Sequence, residues 1–229
     1  MSTDFLIKGK IFKIFAFLFS VLFVFCSLAY ALLIKKAEVE KVSKNFYFLV
    51  SNSMHVEAST HAALLNGGAG YVLESGNREY VAYAVYLKEA DVEWAQSCMA
   101  NAGENTRILA LKSGDLYFKR EREKRAKESI LGAFSCFYDC ISILEQEIGR
   151  LEGGATQQSS KRILNVLKRQ FAYLALEYDK AFPWYSAACR SAENFLQESV
   201  ESVVYVTDLR YLACELCFSY IELSENYSL

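Results

Sequence analysis

The chain has 229 residues, a net charge of −2, 53% hydrophobic and 23% charged residues, one proline and eleven glycines. At roughly 100–200 residues per domain this length allows one or two domains, and the apolar content excludes a disordered chain. A net charge near zero gives no indication of nucleic-acid binding, which needs a concentrated basic face, so we expect no nucleic-acid partner. Because the only histidines are His55 and His61, we do not expect a metal site or catalytic triad built on histidine.

The first predicted element is a transmembrane helix. Residues 14–34 contain no charged side chain, and lysines flank both ends of this run. As a helix rising about 1.5 Å per residue, the run would span about 31 Å, which matches the hydrocarbon core of a bilayer. We therefore expect residues 1–36 to form a cytoplasmic tail and a transmembrane anchor. Two alternatives are a signal peptide cleaved after Ala29-Tyr30-Ala31 and lipid modification of Cys26.

The charges beside this run leave its orientation undecided. Three lysines precede the run and four follow it by Lys44, so the count slightly favours a cytoplasmic C-terminal side. The seven cysteines also fit a reducing compartment better than a disulfide framework.

Residues 45–112 alternate between strand and helix patterns. Aromatic and β-branched stretches indicate strands at 45–51, 70–74, 79–87 and 106–111. Helical spacing of alanine and other apolar residues indicates helices at 56–65 and 88–102, each followed by glycine. The order βαββαβ predicts an α+β domain of the ferredoxin-like type, in which a four-stranded antiparallel sheet carries both helices on one face.

A βαββαβ unit behind a single-pass anchor resembles the SPOR (sporulation-related repeat) domain, which binds peptidoglycan. The similarity lies in the first strand FYFLV, the helix-to-glycine stretch that ends in ALLNGGAG, and the strand-to-helix stretch EYVAYAVYLKEADVEWA. The resemblance implies a SPOR-like domain at 45–112 that binds glycan strands in cell division or sporulation. It also implies a cell-membrane protein whose globular part is extracytoplasmic, with other envelope or divisome proteins as partners.

The predicted binding site is the open face of this sheet. Alternation along the first and third strands separates two sets of side chains. The set expected toward the two helices is Phe46, Phe48, Val50, Ala82 and Ala84. The set expected on the open face is Tyr47, Leu49, Ser51, Val81, Tyr83 and Val85. Since that face approaches the glycan in SPOR domains, the resemblance implies Tyr47, Ser51 and Tyr83 as glycan-binding residues. The alternative is that the helical block covers this apolar face.

Residues 116–229 predict a separate helical domain. Apolar positions recur every three or four residues over 130–148 and 163–178, as amphipathic helices require. Pro183, the only proline, precedes a third helix that is expected over 184–227. Because the connections are short, we expect the three helices to pack as an antiparallel bundle.

No side-chain pattern predicts catalysis. Cys136 with Cys140, and Cys214 with Cys217, could form a four-cysteine zinc site or interhelical disulfides; buried free thiols are the alternative. No nucleophile-elbow, metalloprotease, phosphate-loop or dinucleotide motif occurs, so we expect neither an enzyme nor a bound metal or cofactor. The charged run Lys119–Glu128 is interpreted as a solvated helix face, with lipid headgroups or a partner as the alternative ligand.

The sequence is therefore consistent with two functions. The first is a non-catalytic, membrane-anchored envelope protein that binds peptidoglycan through the open sheet face. The second is a membrane-anchored scaffold or assembly factor that docks proteins and binds no glycan. Because tyrosine and tryptophan favour interfaces, the candidate interface residues of the second are Trp184, Tyr185, Tyr205, Tyr211, Phe218 and Tyr220.

Overall fold

A computed structural model describes residues 38–53, 55–118 and 121–226. Its elements in chain order are β1 (Glu38–Glu40), β2 (Asn45–Ser51), α1 (Val56–Leu65), β3 (Tyr71–Ser75), β4 (Arg78–Tyr86), α2 (Glu89–Asn101), β5 (Thr106–Lys112), β6 (Leu116–Phe118), α3 (Glu121–Glu152), α4 (Gln157–Tyr178), α5 (Pro183–Glu201) and α6 (Val206–Glu225). The class is α+β.

The main sheet has four antiparallel strands in the order β3-β4-β2-β5. β2 lies in the centre, and all seven of its residues pair with β5. The register between β2 and β4 shifts between Leu49 and Val50. This is the split βαβ arrangement that the sequence predicts. A separate two-stranded sheet joins β1 to β6, and its second strand replaces the start of the helical region that was expected from residue 116.

The two faces of the main sheet are the reverse of the prediction. Phe46, Phe48 and Val50 are fully buried, and they join a cluster with residues of α3 to α6. Leu49 and Tyr83 instead pack in a smaller cluster with residues of α1 and α2. Along β2 the alternation is therefore right, but its assignment to the faces is wrong. Along β4 the alternation itself is wrong, because Val85 joins Ala82 in the cluster with α3 to α6 while Val81 and Tyr83 lie in the other cluster, where the register with β2 shifts. A period of two separates the faces without identifying what covers either one, and here both sides are apolar and covered.

The helical region contains four helices, and the predicted three-helix bundle is wrong. The helix expected over 184–227 divides into α5 and α6, with Ser202 in an extended conformation after α5. In the connection between the two helices, the side chain of Gln157, 47 residues earlier, hydrogen-bonds the backbone of Val204. Gln157 Nε2 donates to the Val204 carbonyl at 2.9 Å, and Val204 N–H donates to Gln157 Oε1 at 2.9 Å. Both polar groups of Val204 are thus satisfied without helix.

The predicted fold class also included a transmembrane helix at 14–34. That segment lies outside the described residues. Among the helices of residues 38–53, 55–118 and 121–226, none is long and apolar enough to cross a bilayer. The fold class that the structure supports is therefore α+β, with no membrane-spanning helix in the described part of the chain.

One hydrophobic core joins the main sheet to the four helices. Phe46 of β2 makes edge contacts with Tyr220 of α6 at 5.4 Å between ring centroids, and Tyr220 contacts Phe134 of α3 at 5.2 Å. Phe137 of α3 in turn meets Phe171 of α4 at 5.9 Å. Edge-to-face pairs at these separations add to the stabilisation from burial. The helices therefore pack directly on the sheet face that was expected to carry α1 and α2.

Candidate functional site

The structure places the three predicted glycan-binding residues between the sheet and its helices. Tyr47 is half-buried against the cluster under α1 and α2. Ser51 is 8% exposed, and its hydroxyl donates to Ser59 Oγ at 3.1 Å. Tyr83 is 4% exposed, and its hydroxyl donates to Glu104 Oε2 at 3.3 Å.

These three residues do not form an open face. Burial, followed by the neighbouring Glu104 carboxylate, raises the pKa of Tyr83. Tyr83 and Ser51 therefore use their hydroxyl groups within the fold. The sheet side on which they lie is occupied by α1 and α2, so this face is covered, but by α1 and α2 and not by the helical block.

The four cysteines that could in principle form a zinc site or disulfides, Cys136, Cys140, Cys214 and Cys217, are free. No cluster of histidine, cysteine or acidic residues suited to a metal ion occurs in residues 38–53, 55–118 and 121–226. Burial raises the pKa of the Cys140 thiol to about 12 and raises that of Cys217 well above its ordinary value. Both thiols lie in the hydrophobic core, where the un-ionised form is favoured.

A cleft of about 340 Å³ lies between β4, the start of α2 and the C-terminal half of α3. Glu145 Oε1 accepts a hydrogen bond from Leu87 N–H at 2.9 Å. Burial raises the pKa of Glu145, while the Leu87 hydrogen bond opposes that shift. Arg210 donates to Glu152 Oε1 at 2.7 Å and to the carbonyl of Gly67. These contacts connect α3 to the residue after β4, and α6 to α3 and to the loop after α1. The polar side chains of the cleft thus hold the sheet and the helices together.

The aromatic residues considered for an interface divide into two groups. Tyr185 and Tyr220 are 3% and 2% exposed and belong to the core. Trp184, Tyr205 and Tyr211 are exposed by 79%, 57% and 39%. The sixth candidate, Phe218, is half-buried and packs against the core.

A further set of exposed apolar side chains lies on α4, on the side opposite the buried stripe that the sequence predicts. Val166, Tyr173 and Leu176 are exposed by 66%, 59% and 74%. They follow one another at spacings of seven and three residues, so they lie on one helix face, opposite the buried Leu164, Phe171 and Leu174. Arg162 and Arg169, both exposed, occupy the intervening positions of the same face. We call these five residues the α4 row.

A groove of about 380 Å³ runs beside the α4 row, between α3 and α4. Its walls include Ile143 of α3, which is 41% exposed, with Ile163 and Val166 of α4. Asp139 is the acidic residue of its lining. The groove and the row together form an apolar surface that is bordered by arginine.

The signal for the α4 row is present in the sequence as a second stripe at three- and four-residue steps over 162–176. The sequence does not show whether this stripe is exposed, because an α4 covered on both sides would have the same pattern.

No family model, curated protein or solved structure matches the chain. The resemblance to SPOR domains stays a prediction from the sequence.

Proposed function

We propose that this protein is a non-catalytic docking module that binds an acidic amphipathic helix of a partner protein along α4. The observation that carries the proposal is the exposure of Val166, Tyr173 and Leu176 on the face that points away from the core. The outer face of a packed helix is ordinarily polar. A continuous exposed apolar surface is typical of an interaction site.

The shape of the surface favours a helix as the occupant. The α4 row extends from Arg162 to Leu176, about 21 Å along the helix axis at 1.5 Å per residue. The groove between α3 and α4 runs beside it. An amphipathic helix that lies in such a groove inserts side chains at three- and four-residue spacing.

The charge of the row favours an acidic partner over a second copy of this chain. The row contains Arg162 and Arg169, and the acidic residues beside it are Asp139 of the groove and Glu177, one turn after Tyr173. Arg169 lies at its midpoint, so a twofold pairing of two α4 rows would bring Arg169 against its own copy. Like charges placed together across an interface are unfavourable, whereas carboxylates would pair with both arginines.

Peptidoglycan binding, the other function that the sequence predicts, stays a prediction. Because Tyr47, Ser51 and Tyr83 lie under α1 and α2, the sheet offers them no open surface. Sedimentation of the protein with purified sacculi tests this function. Binding that is lost in a folded Tyr83→Ala variant would favour it over docking through α4.

The docking proposal is tested by photo-crosslinking in cells that express the full chain. A photo-crosslinking residue replaces Val166 in one variant and Val203 in the matched control. Val203 is also an exposed valine, at 54% against 66%, but it lies in the connection between α5 and α6. We expect position 166 to form a discrete crosslink with an acidic, amphipathic segment that is identified by mass spectrometry, and position 203 to form none with it.

Reversal of the charge at Arg169 distinguishes a specific complex from a crosslink that forms by chance proximity. Arg169→Glu should lower the yield of that crosslink by about tenfold or more, because like charges then meet, whereas Arg169→Lys should largely retain it. Equal crosslinking from position 203 would refute the proposal. A basic partner segment, or a second copy of this chain as the crosslinked species, would refute it as well.

A further inference from the structure

Four chain segments meet at one end of the helical bundle. Tyr178, the last residue of α4, donates its hydroxyl to the Ser129 carbonyl of α3 at 3.3 Å. Ser224, near the end of α6, accepts a hydrogen bond from Gly114 N–H before β6 at 2.8 Å. α5 begins at Pro183, five residues after α4 ends. We call this part of the molecule the β1 end, because β1 lies there too.

The first described residues of the chain, those of β1, lie at the β1 end. β1 pairs with β6, which directly precedes α3, and Glu40 forms an ion pair with Lys127 of α3 at 2.5 Å. In the sequence, the uncharged run 14–34 ends four residues before Glu38. Four residues reach at most about 14 Å. The most apolar segment of the chain is therefore attached close to the β1 end.

The β1 end carries an exposed tryptophan beside an apolar cavity. Trp184 is 79% exposed, the most exposed of the large hydrophobic side chains in the described part of the chain. It borders a cavity of about 290 Å³ whose lining includes Ile130, Phe134, Phe182 and Leu223. An indole has an apolar body and a polar N–H group, and such rings concentrate at the level of lipid headgroups.

The segment Lys119–Glu128, which leads into and begins α3 at this end, is locally basic in sequence, with six basic and three acidic residues. Acidic residues lie at the same end as well, among them Glu40, which pairs with Lys127, and Glu222 and Glu225 near the end of α6. Lys35 and Lys36 precede β1 by two or three residues. Basic residues clustered next to a membrane-associated segment are attracted to anionic lipid headgroups. The locally basic segment and the exposed apolar surface thus favour the same occupant, an anionic lipid surface.

We propose that the β1 end lies on an anionic lipid bilayer, with Trp184 and the rim of its cavity at headgroup level. The inference is independent of docking through the α4 row. It concerns a surface contact of the folded body and does not depend on the conformation of residues 14–34.

The chain contains an internal control for this contact. Its only two tryptophans are Trp94 and Trp184. Trp94 is comparably exposed, at 71%, but it borders the cleft beside Gly149 in the C-terminal half of α3. Ile130, which lines the cavity of Trp184, is nineteen residues earlier on α3. Ile130 and Gly149 are therefore about 28 Å apart along the helix, and the lining residues that approach most closely on α3, Phe134 and Glu145, are about 16 Å apart.

The test uses full-length protein reconstituted in vesicles of phosphatidylcholine and phosphatidylglycerol with brominated acyl chains, which quench tryptophan emission on contact. The W94F variant reports Trp184 alone, and W184F reports Trp94 alone. Relative to unbrominated vesicles, we expect the emission of Trp184 to fall by roughly half or more and that of Trp94 by less than about a tenth. Circular dichroism checks that both variants fold, and W94Y replaces W94F if the latter does not.

Three outcomes would overturn the proposal. An unquenched Trp184 would show that the β1 end does not touch lipid, even if the apolar run does. Equal quenching of both tryptophans would show contact without the proposed orientation. Quenching of Trp184 that is undiminished in vesicles of phosphatidylcholine alone would contradict the role of the basic residues.

Discussion

Replacement of Phe46 by alanine tests whether the sheet and the helices depend on one core. Phe46 lies on the central strand β2 and is fully buried. Its ring contacts Tyr138 of α3 and Tyr220 of α6, with centroids 6.2 and 5.4 Å away. Phe46→Ala therefore removes a contact between the sheet and two helices at once. Leu65→Ala is the control, because Leu65 is 73% exposed on α1.

The expected loss is large because the site is closed on all sides. Truncation of a buried phenylalanine to alanine costs about 3–5 kcal/mol of unfolding free energy, from lost transfer energy and the cavity that is left. For a protein of this size, each kcal/mol lowers the melting temperature by about 2–4 °C, so Phe46→Ala should melt roughly 6–20 °C lower. Leu65→Ala should stay within about 0.5 kcal/mol of the wild type.

Hydrogen exchange read by mass spectrometry gives the decisive result, alongside thermal melting by circular dichroism. If one core supports both parts, the slowest amides of β2 and β4 and those of α3 and α6 should lose protection together. At 1.4 kcal/mol per tenfold change, the expected loss is about two to three and a half orders of magnitude. Loss in the strands with wild-type protection in α3 and α6 would refute the shared core.

Glu145→Gln keeps an acceptor for Leu87 N–H but removes a carboxyl group whose pKa burial raises above the ordinary 4.5. The folded state then holds that proton more tightly than the unfolded state, so wild-type stability falls as pH rises from 4.5 through the raised pKa. The melting temperature of the variant relative to wild type should therefore rise across this window; a constant difference would contradict it. Gly68→Ala should destabilise by about 1–3 kcal/mol, because its Cβ would lie 2.9 Å from a ring carbon of Tyr83. Thermal melts should show the opposite for Gly149→Ala, a gain of about 0.5–1 kcal/mol, since open space surrounds that Cβ in α3.

Local patterns in the chain were sufficient to predict the main sheet and the buried sides of α3 and α4. Strand alternation in 45–51 and the three- and four-residue steps over 130–148 and 163–178 arise from backbone geometry, which fixes the direction of each side chain relative to its neighbours. Such patterns state which residues share a face. They do not state what covers that face.

Tertiary contacts decided which elements cover each sheet face, where α5 ends and which face of α4 is exposed. Both faces of β2 are apolar, so only packing shows that Phe46 meets the bundle and that Tyr83 lies under α1 and α2. The end of α5 depends on Gln157, whose side chain satisfies Val204 across 47 residues. The α4 row is exposed because no described element of the chain lies over it, and neighbours along the sequence carry no information about which elements cover a helix face. Burial and exposure are properties of distant contacts, which a local periodicity does not contain.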